Sequence, residues 1–452
     1  MPYSPASVLL ILLPPGHQAR HYMLAMYRAC ERLGMACRTL EIQPLRDQIA
    51  RAADPRAAMR TLSRNLAGLV RSNQIGRVLS YATAGTVDLG LVPTPDGPAT
   101  IWNALGVPQS ILWTDHPNWA AEGLALQPGA CAALGHELNT HWLKSQAAAE
   151  EARATLGWRN ICAMPVAEDY ELLTPIDNVE AVHDVVTIVG SLARLPENVE
   201  AFLECDDPDP QEIDLAMVGP VRDCWRERVC VDAPDSTALD RFAADLLERR
   251  AHEPAASVWT LARRLEPEYG QVVDWLMQTP RRWYEAEAVL RQAAGWRRTF
   301  WTAWLARRVN VGVYGCSSAE IGIDQPAGAA GWVAYDHQPM IYARGKCALN
   351  INQSHDQAGA THKPFQIVAS GVPCVHHATA ELSDLFTPGR EIVTFTRGPE
   401  LLAAVDRLCA DPELRASLAD RALARARREH TWEHRVKAML EVGEHAPMRV
   451  AG

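Results

Sequence analysis

The sequence predicts an α/β protein of two parallel-sheet blocks, the second carrying a long all-helical segment. Three observations predict it. Short apolar runs alternate with amphipathic stretches from Val8 onward and again from His183 onward, the pattern of strand–helix–strand units. Leu239 to Arg307 holds no strand-like run, but many Trp, Arg, Ala and Leu at helical spacing. The chain has 452 residues, which at ~150 residues per domain makes about two or three domains. With 48% hydrophobic and 22% charged residues, it is neither a disordered chain, a collagen-like fibre nor a coiled-coil rod.

In the first block, Val8 to Leu13 reads as a buried strand. It resembles the apolar part of a signal peptide, but no basic residue precedes it and no small-residue cleavage site follows. Ala19 to Leu33 reads as a helix stopping at Gly34, then come a strand at Ala36–Ile42, a helix at Ala52–Ser72 and a strand at Arg77–Tyr81. Thr86–Leu91 and Pro98–Leu105 are short and poorly defined. Further strands are expected at Gln109–Trp113, Cys131–Leu134 and Ile161–Met164. The second block opens with a strand at His183–Val189, with another at Leu215–Val218, before the helical segment. Strands resume at Val309–Tyr314, Gly331–Tyr335, Cys347–Ile351, Val372–Val375 and Glu391–Phe395. Between them lie short helices at Pro339–Arg344, Pro364–Ser370 and Leu382–Leu385. Gly398–Cys409, Pro412–Glu429 and Trp432–Val442 are helical, and the tail after His445 is expected to fray. This gives a first domain over 1–178 and a second over 179–430 with its helical segment at 239–307. A C-terminal helix and tail over 431–452 can cross back to the first domain.

Lys plus Arg total 44 and Asp plus Glu 54, a formal charge of −10, which argues against nucleic-acid binding through bulk electrostatics. The 11 cysteines form no Cys-x-x-Cys pair and read as free thiols of a reducing compartment. No apolar run reaches the ~20 residues that span a bilayer. These features together suggest a soluble cytoplasmic protein; oligomeric state is not legible.

Ligands of open α/β sheets gather at the carboxyl ends of strands. Pro15-Gly16-His17 sits where the first strand turns into the first helix, so His17 is a candidate base or hydroxyl partner. Thr114-Asp115-His116-Pro117 follows a strand of the same block, and Asp115 and His116 could orient one another or a hydroxyl. The plain alternatives are a surface histidine and an Asx turn before proline. Val189-Gly190-Ser191-Leu-Ala-Arg194 ends the second block's first strand, where Gly190 and Ser191 offer backbone N–H groups and Arg194 a fork for phosphate oxygens.

The richest segment runs from Tyr342 to Phe395. It reads Tyr342-Ala-Arg-Gly-Lys-Cys-Ala-Leu-Asn-Ile351, a polar loop to His362, Lys363-Pro-Phe-Gln366, Ala369-Ser-Gly371 and Glu381-Leu-Ser-Asp-Leu-Phe386, ending at Pro388-Gly389-Arg-Glu391. A strand, a loop ending in a cation, a short helix and a Gly-x-Pro turn form a nucleotide-cradling layout. Lys363 could meet a diphosphate, and Gln366 and Glu381 ribose or sugar hydroxyls. His355, His362, His376 and His377 lack the spacing of a helical metal motif and read as loop histidines, one of them near phosphate. The tryptophans of the helical segment read as core, with sugar stacking as the alternative.

This segment resembles the C-terminal domain of GT-B glycosyltransferases, in particular the spore-maturation-protein-like group. That pattern runs Tyr…Lys-x-x-Leu-Asn-(Ile/Leu), a loop, Arg-x-Phe-Glu-x-x-Ala-(Cys/Ala)-Gly, then Glu-Leu…Phe-x-Pro-Gly-x-Glu. It closes with Glu-His-Thr-Tyr-x-x-Arg, here Glu429-His430-Thr431-Trp432-Glu433-His434-Arg435. The resemblance covers about the last third of the chain. It implies two facing Rossmann-like domains with the chemistry between them. The second would hold a nucleotide-sugar through Gly190, Ser191, Arg194, His362, Lys363, Gln366, Gly371 and Glu381. The first would hold an acceptor and supply a base from Asp115, His17 or His116. No metal and no cofactor beyond the nucleotide-sugar co-substrate is implied. Lys363 stands where Arg is usual, which keeps the charge but loses the fork. Gln366 stands where Glu is usual, and Ala358 where related retaining enzymes carry a second Glu. These departures keep one alternative open, a GT-B protein that binds a nucleotide-sugar or a protein partner without turnover.

Overall fold

Leu9 to Leu13 are all buried, because β1 (Val8–Leu13) lies inside a parallel sheet whose two faces are both covered. Its neighbour β2 (Cys37–Glu41) is at the sheet edge, and its residues are partly buried or exposed. The computed structural model describes residues 7–117, 120–176, 179–231, 233–317, 322, 323, 329, 331–352 and 358–441. The chain divides into two compact units, one ending at Asp169 and resuming at His430, the other running from Tyr170 to Glu429. The boundary therefore falls before 178, and the C-terminal helix Trp432–Glu441 belongs to the first unit.

The first unit has six parallel strands in the order β2-β1-β3-β6-β7-β8, with β3 Ile75–Tyr81, β6 Gln109–Trp113, β7 Asn139–Leu143 and β8 Ile161–Ala163. A small antiparallel hairpin, β4 (Val92–Thr94) with β5 (Gly97–Ala99), stands apart. Register is set by pairs such as Leu10 with Arg38 on one side and with Val78 on the other. Two sequence expectations fail here. Cys131–Leu134 is not a strand: Pro128 at the first turn and Gly135 at its end enclose a helix, Pro128–Leu134. The strand is β7, hidden in the sequence by Asn139, Thr140 and His141. Asn139 is buried because its amide bonds Asn103 and the carbonyls of Ala133 and Leu134, while its carbonyl accepts from Gln109. A further helix, Ile42–Ala50, was also not foreseen.

The second unit holds β9 (His183–Ile188), β10 (Val311–Tyr314), β11 (Gly345–Asn350), β12 (Cys374–His377) and β13 (Val393–Phe395) in the parallel order β10-β9-β11-β12-β13. The connection from β9 to β10 contains the helices Pro210–Arg228, Ser236–His252, Val258–Met277, Pro280–Leu290 and Gln292–Ala306. Four starts are written in sequence: Asp209, Asp235, Ser257 and Thr279 each accept a backbone N–H of the first turn. Leu215–Val218 lies inside the first of these helices, and Gly331–Tyr335 forms no strand; both apolar runs misled. Trp225, Trp283, Trp301 and Trp304 are fully buried, so most of the aromatic content is core.

Candidate functional site

In the second unit strand order reverses between β9 and β11, and ligands of such sheets bind outside the carboxyl ends at that reversal. The loop after β9 carries Gly190 and Ser191, both exposed, and a side chain added at Gly190 would meet nothing within 4 Å. The Arg298 guanidinium, from the helix Gln292–Ala306, donates from Nη2 to the Ser191 carbonyl at 2.5 Å and to Oγ at 3.0 Å. Arg298 is 5% exposed, and its Nε has no partner among the described residues. Burial lowers its pKa to about 10.

Lys363 opens the helix Lys363–Ala369 at the end of the loop after β11. Its backbone N–H is held by Thr361 Oγ1 at 3.2 Å, and its Nζ donates to Gln338 Oε1 at 3.3 Å. Burial first, and then the Arg298 charge, lower its pKa to about 7. Two cations therefore stand close enough to repel one another, at the place where an anionic ligand is expected. One helical turn on, Gln366 is 0% exposed, and neither amide atom has a hydrogen-bond partner among the described residues. Buried amides are nearly always paired, so this one points to a missing partner.

The floor is built by β11 and β12. Asn350 Nδ2 lies 2.7 Å from His376 Nε2, and His376 Nδ1 lies 2.5 Å from the His377 carbonyl. The carbonyl can only accept, so Nδ1 carries the proton and Nε2 accepts from Asn350. Burial lowers His376 to about 4; burial, then Arg297 and His376, lower His377 to about 3. Both imidazoles are neutral near pH 7. Among the described residues no three His, Cys, Asp or Glu converge as metal ligands. His355 lies outside the described residues, as does the tail after His445.

Of the remaining sequence candidates, Arg194 is exposed and His362 partly so, in the N-cap position before Lys363. Glu381 is on the carboxyl side of β12, its N–H donating to the Ala358 carbonyl at 3.0 Å. Gly371 is a correction. It precedes β12, at the amino end of the sheet, away from the reversal. Its φ of +70° ends the helix, and an added Cβ would sit 2.8 Å from Pro175. It shapes the turn and does not line the crevice. The sequence reading missed Arg298 and Gln338. An arginine pair, Arg297-Arg298, inside a Trp-rich helix was the available signal.

In the first unit the order reverses between β1 and β3. His17 is exposed at the start of the helix His17–Arg32. Asp115, after β6, is also exposed and accepts from Tyr81 Oη at 3.5 Å; the same hydroxyl bonds Thr114 Oγ1. Lys144 Nζ donates to the Thr114 carbonyl at 2.5 Å and so pins this loop. Tyr81 stacks on buried Tyr22, whose hydroxyl is bonded by Gln18 Nε2 at 2.8 Å. Burial, opposed by Gln18 and reinforced by Glu168, Tyr81 and Asp115, raises Tyr22 well above its ordinary pKa. His116 is the second correction. It is 2% exposed, with Nε2 3.6 Å from Glu151 Oε2, so it faces the interior and not the crevice. Tyr81 and the buried Glu168, 3.4 Å from His21, were not foreseen. All eleven cysteines are free thiols, and among the described residues no helix is long and apolar enough to cross a membrane.

Residues 289–441 match the family model described as glycosyl transferase-like. No curated protein sequence matches the chain. Among solved structures, sucrose-phosphate synthase from Thermosynechococcus elongatus is similar at 12% identity and TM-score 0.44, covering 97% of this chain and 98% of that one. HepE of Anabaena, in complex with UDP and glucose, is similar at 10% identity and TM-score 0.44, covering 97% and 100%. The DNA-modifying enzyme β-glucosyltransferase is similar at 8% identity and TM-score 0.47, covering 96% and 99%. The matched stretch begins at Val289 and so spans Arg298, Lys363 and Gln366: the C-terminal third of the chain is similar to the glycosyl transferase-like family.

Proposed function

We propose that the protein is a glycosyltransferase that takes a sugar from a nucleotide-activated donor bound at the β9–β11 crevice and passes it to an acceptor held by the first unit. The observation that carries this is the Arg298–Lys363 pair, two largely buried cations at a strand-order reversal, with the orphaned amide of Gln366 beside them. Glycosyl transfer breaks the bond between the sugar's anomeric carbon and the diphosphate oxygen. Charge then grows on the diphosphate, where preorganised cations stabilise it most. Arg298, Lys363 and the N–H groups of the exposed Gly190–Ser191 turn would do so. They supply the charge that a divalent ion would otherwise bring, so the reaction is proposed to run without metal and with no cofactor beyond the donor. Gln366 would bond a ribose or sugar hydroxyl as a neutral group. The new bond forms between the anomeric carbon and an acceptor oxygen, and Asp115 takes that oxygen's proton, held in place by Tyr81. A base on the acceptor side goes with inversion at the anomeric carbon. The free thiols support a reducing, cytoplasmic location. The test is incubation with a panel of nucleotide-sugars, reading release of nucleoside diphosphate. Release from one donor, lost in Arg298→Met, supports the reading. No release and no binding from any of them rejects it.

A further inference from the structure

Four helices of the inserted segment bring charged side chains into one buried cluster. Arg297 grips Asp214 side-on, Nε to Oδ1 at 3.0 Å and Nη2 to Oδ2 at 2.5 Å. Arg291 is ion-paired with Glu287, the two being 5% and 0% exposed. Arg250, only 2% exposed, is the fifth member, and the charges acting on it are those same four groups. Its Nη1 donates to the Leu290 carbonyl at 2.9 Å, which fixes the plane of the guanidinium. Its Nε and Nη2 have no partner among the described residues. These two atoms form the side-on fork, the edge that Arg297 uses on Asp214. The cluster therefore holds three guanidinium groups against two carboxylates, with a complete bidentate donor edge unmet. An unpaired buried charge is among the costliest features a fold can carry.

We propose that this cluster is a binding site for a small oxyanion of one negative charge, held by the Arg250 fork as Asp214 is held by Arg297. The site is distinct from the donor crevice, because Arg250 belongs to the helical segment and makes no bond to Ser191, Lys363 or Gln366. Bound there, the anion ties together the helices Ser236–His252 and Pro280–Leu290 and steadies Arg297, whose neighbour Arg298 reaches the crevice. The test is thermal unfolding of the full chain in sodium formate and in sodium phosphate, each against sodium chloride at constant ionic strength. A saturable rise of about 3 °C or more in formate or phosphate is expected. It should vanish in Arg250→Met and persist in Lys363→Met, which disables only the crevice. Should Arg250→Met fail to fold, Arg250→Lys keeps the charge, removes the fork and must also lose the rise. Formate and phosphate acting alike mark a site sized for phosphate; formate alone marks a carboxylate site. No rise over chloride in the unmodified protein, or a rise that survives in the Arg250 variants, overturns the proposal.

Discussion

Lys363 is charged in water at neutral pH, but here it stands near its midpoint, with a pKa of about 7 set by burial and by Arg298. A diphosphate supplies the missing counter-charge and so favours the ammonium form. Binding must then take up a proton wherever the free protein has lost it, from about pH 7 to the ordinary lysine range. Affinity should fall as pH rises through that window, by up to ~10-fold per unit. Calorimetry at pH 8 in two buffers of different ionisation enthalpy should show proton uptake in the native protein and none from this group in Lys363→Met. Gln366 makes a second prediction. Its buried amide has no partner among the described residues, so Gln366→Leu should raise stability by about 1–3 kcal/mol, read by denaturant unfolding, while weakening donor binding. A variant both less stable and unchanged in binding would show that the amide is satisfied by other means. On the acceptor side, Asp115→Asn should leave donor binding intact and lower turnover by ~10²-fold or more. Tyr81→Phe should move the pH profile of turnover; a shift-free profile would make Tyr81 merely structural. Lys363 and Gln366 were legible in the sequence because the spacing from Tyr342 to Phe386 is dense in chemistry. Arg298 was not, since a cation buried among tryptophans reads as helix surface until its partner Ser191 is seen.

At the scale of the element, strand positions were legible where the run was apolar, and β1, β6, β9 and β11 were foreseen. They were lost where polarity or length misled. β7 is polar at Asn139 and His141 because their partners are built in: Gln109 of β6 and the Ala133 carbonyl of a helix for Asn139, and Trp113 of β6 for His141. Leu215–Val218 is as apolar as a strand, but Asp209 caps and Pro210 starts a helix that runs through it. Gly371 shows how a motif residue can be structural. With φ of +70° and Pro175 against the space a Cβ would fill, Gly371→Ala should destabilise by ~1 kcal/mol or more. The nucleotide affinity of the folded fraction should stay unchanged. A loss of affinity with stability intact would return Gly371 to the site.

For the whole molecule, a net charge of −10 hides a local gathering of cations in the second unit, where Arg250, Arg291, Arg297 and Arg298 are buried and Lys363 partly so. Composition speaks only to a polyanion-binding surface and is blind to a local pocket. The two parallel-sheet blocks were readable from the alternation of runs, but the strand order, and with it the reversal in each sheet, came only from the fold. The proposed division of labour, donor in the second unit and acceptor in the first, rests on the Arg298–Lys363 pair. The most direct test is a calorimetric titration of nucleoside diphosphates into the native protein, Arg298→Met and Lys363→Met at pH 7. One-to-one binding that weakens by roughly 10–100-fold in each variant, the scale of a charged hydrogen bond, is the predicted result. Equal affinity in all three proteins, with the variants folded, would contradict the assignment of this crevice to the donor.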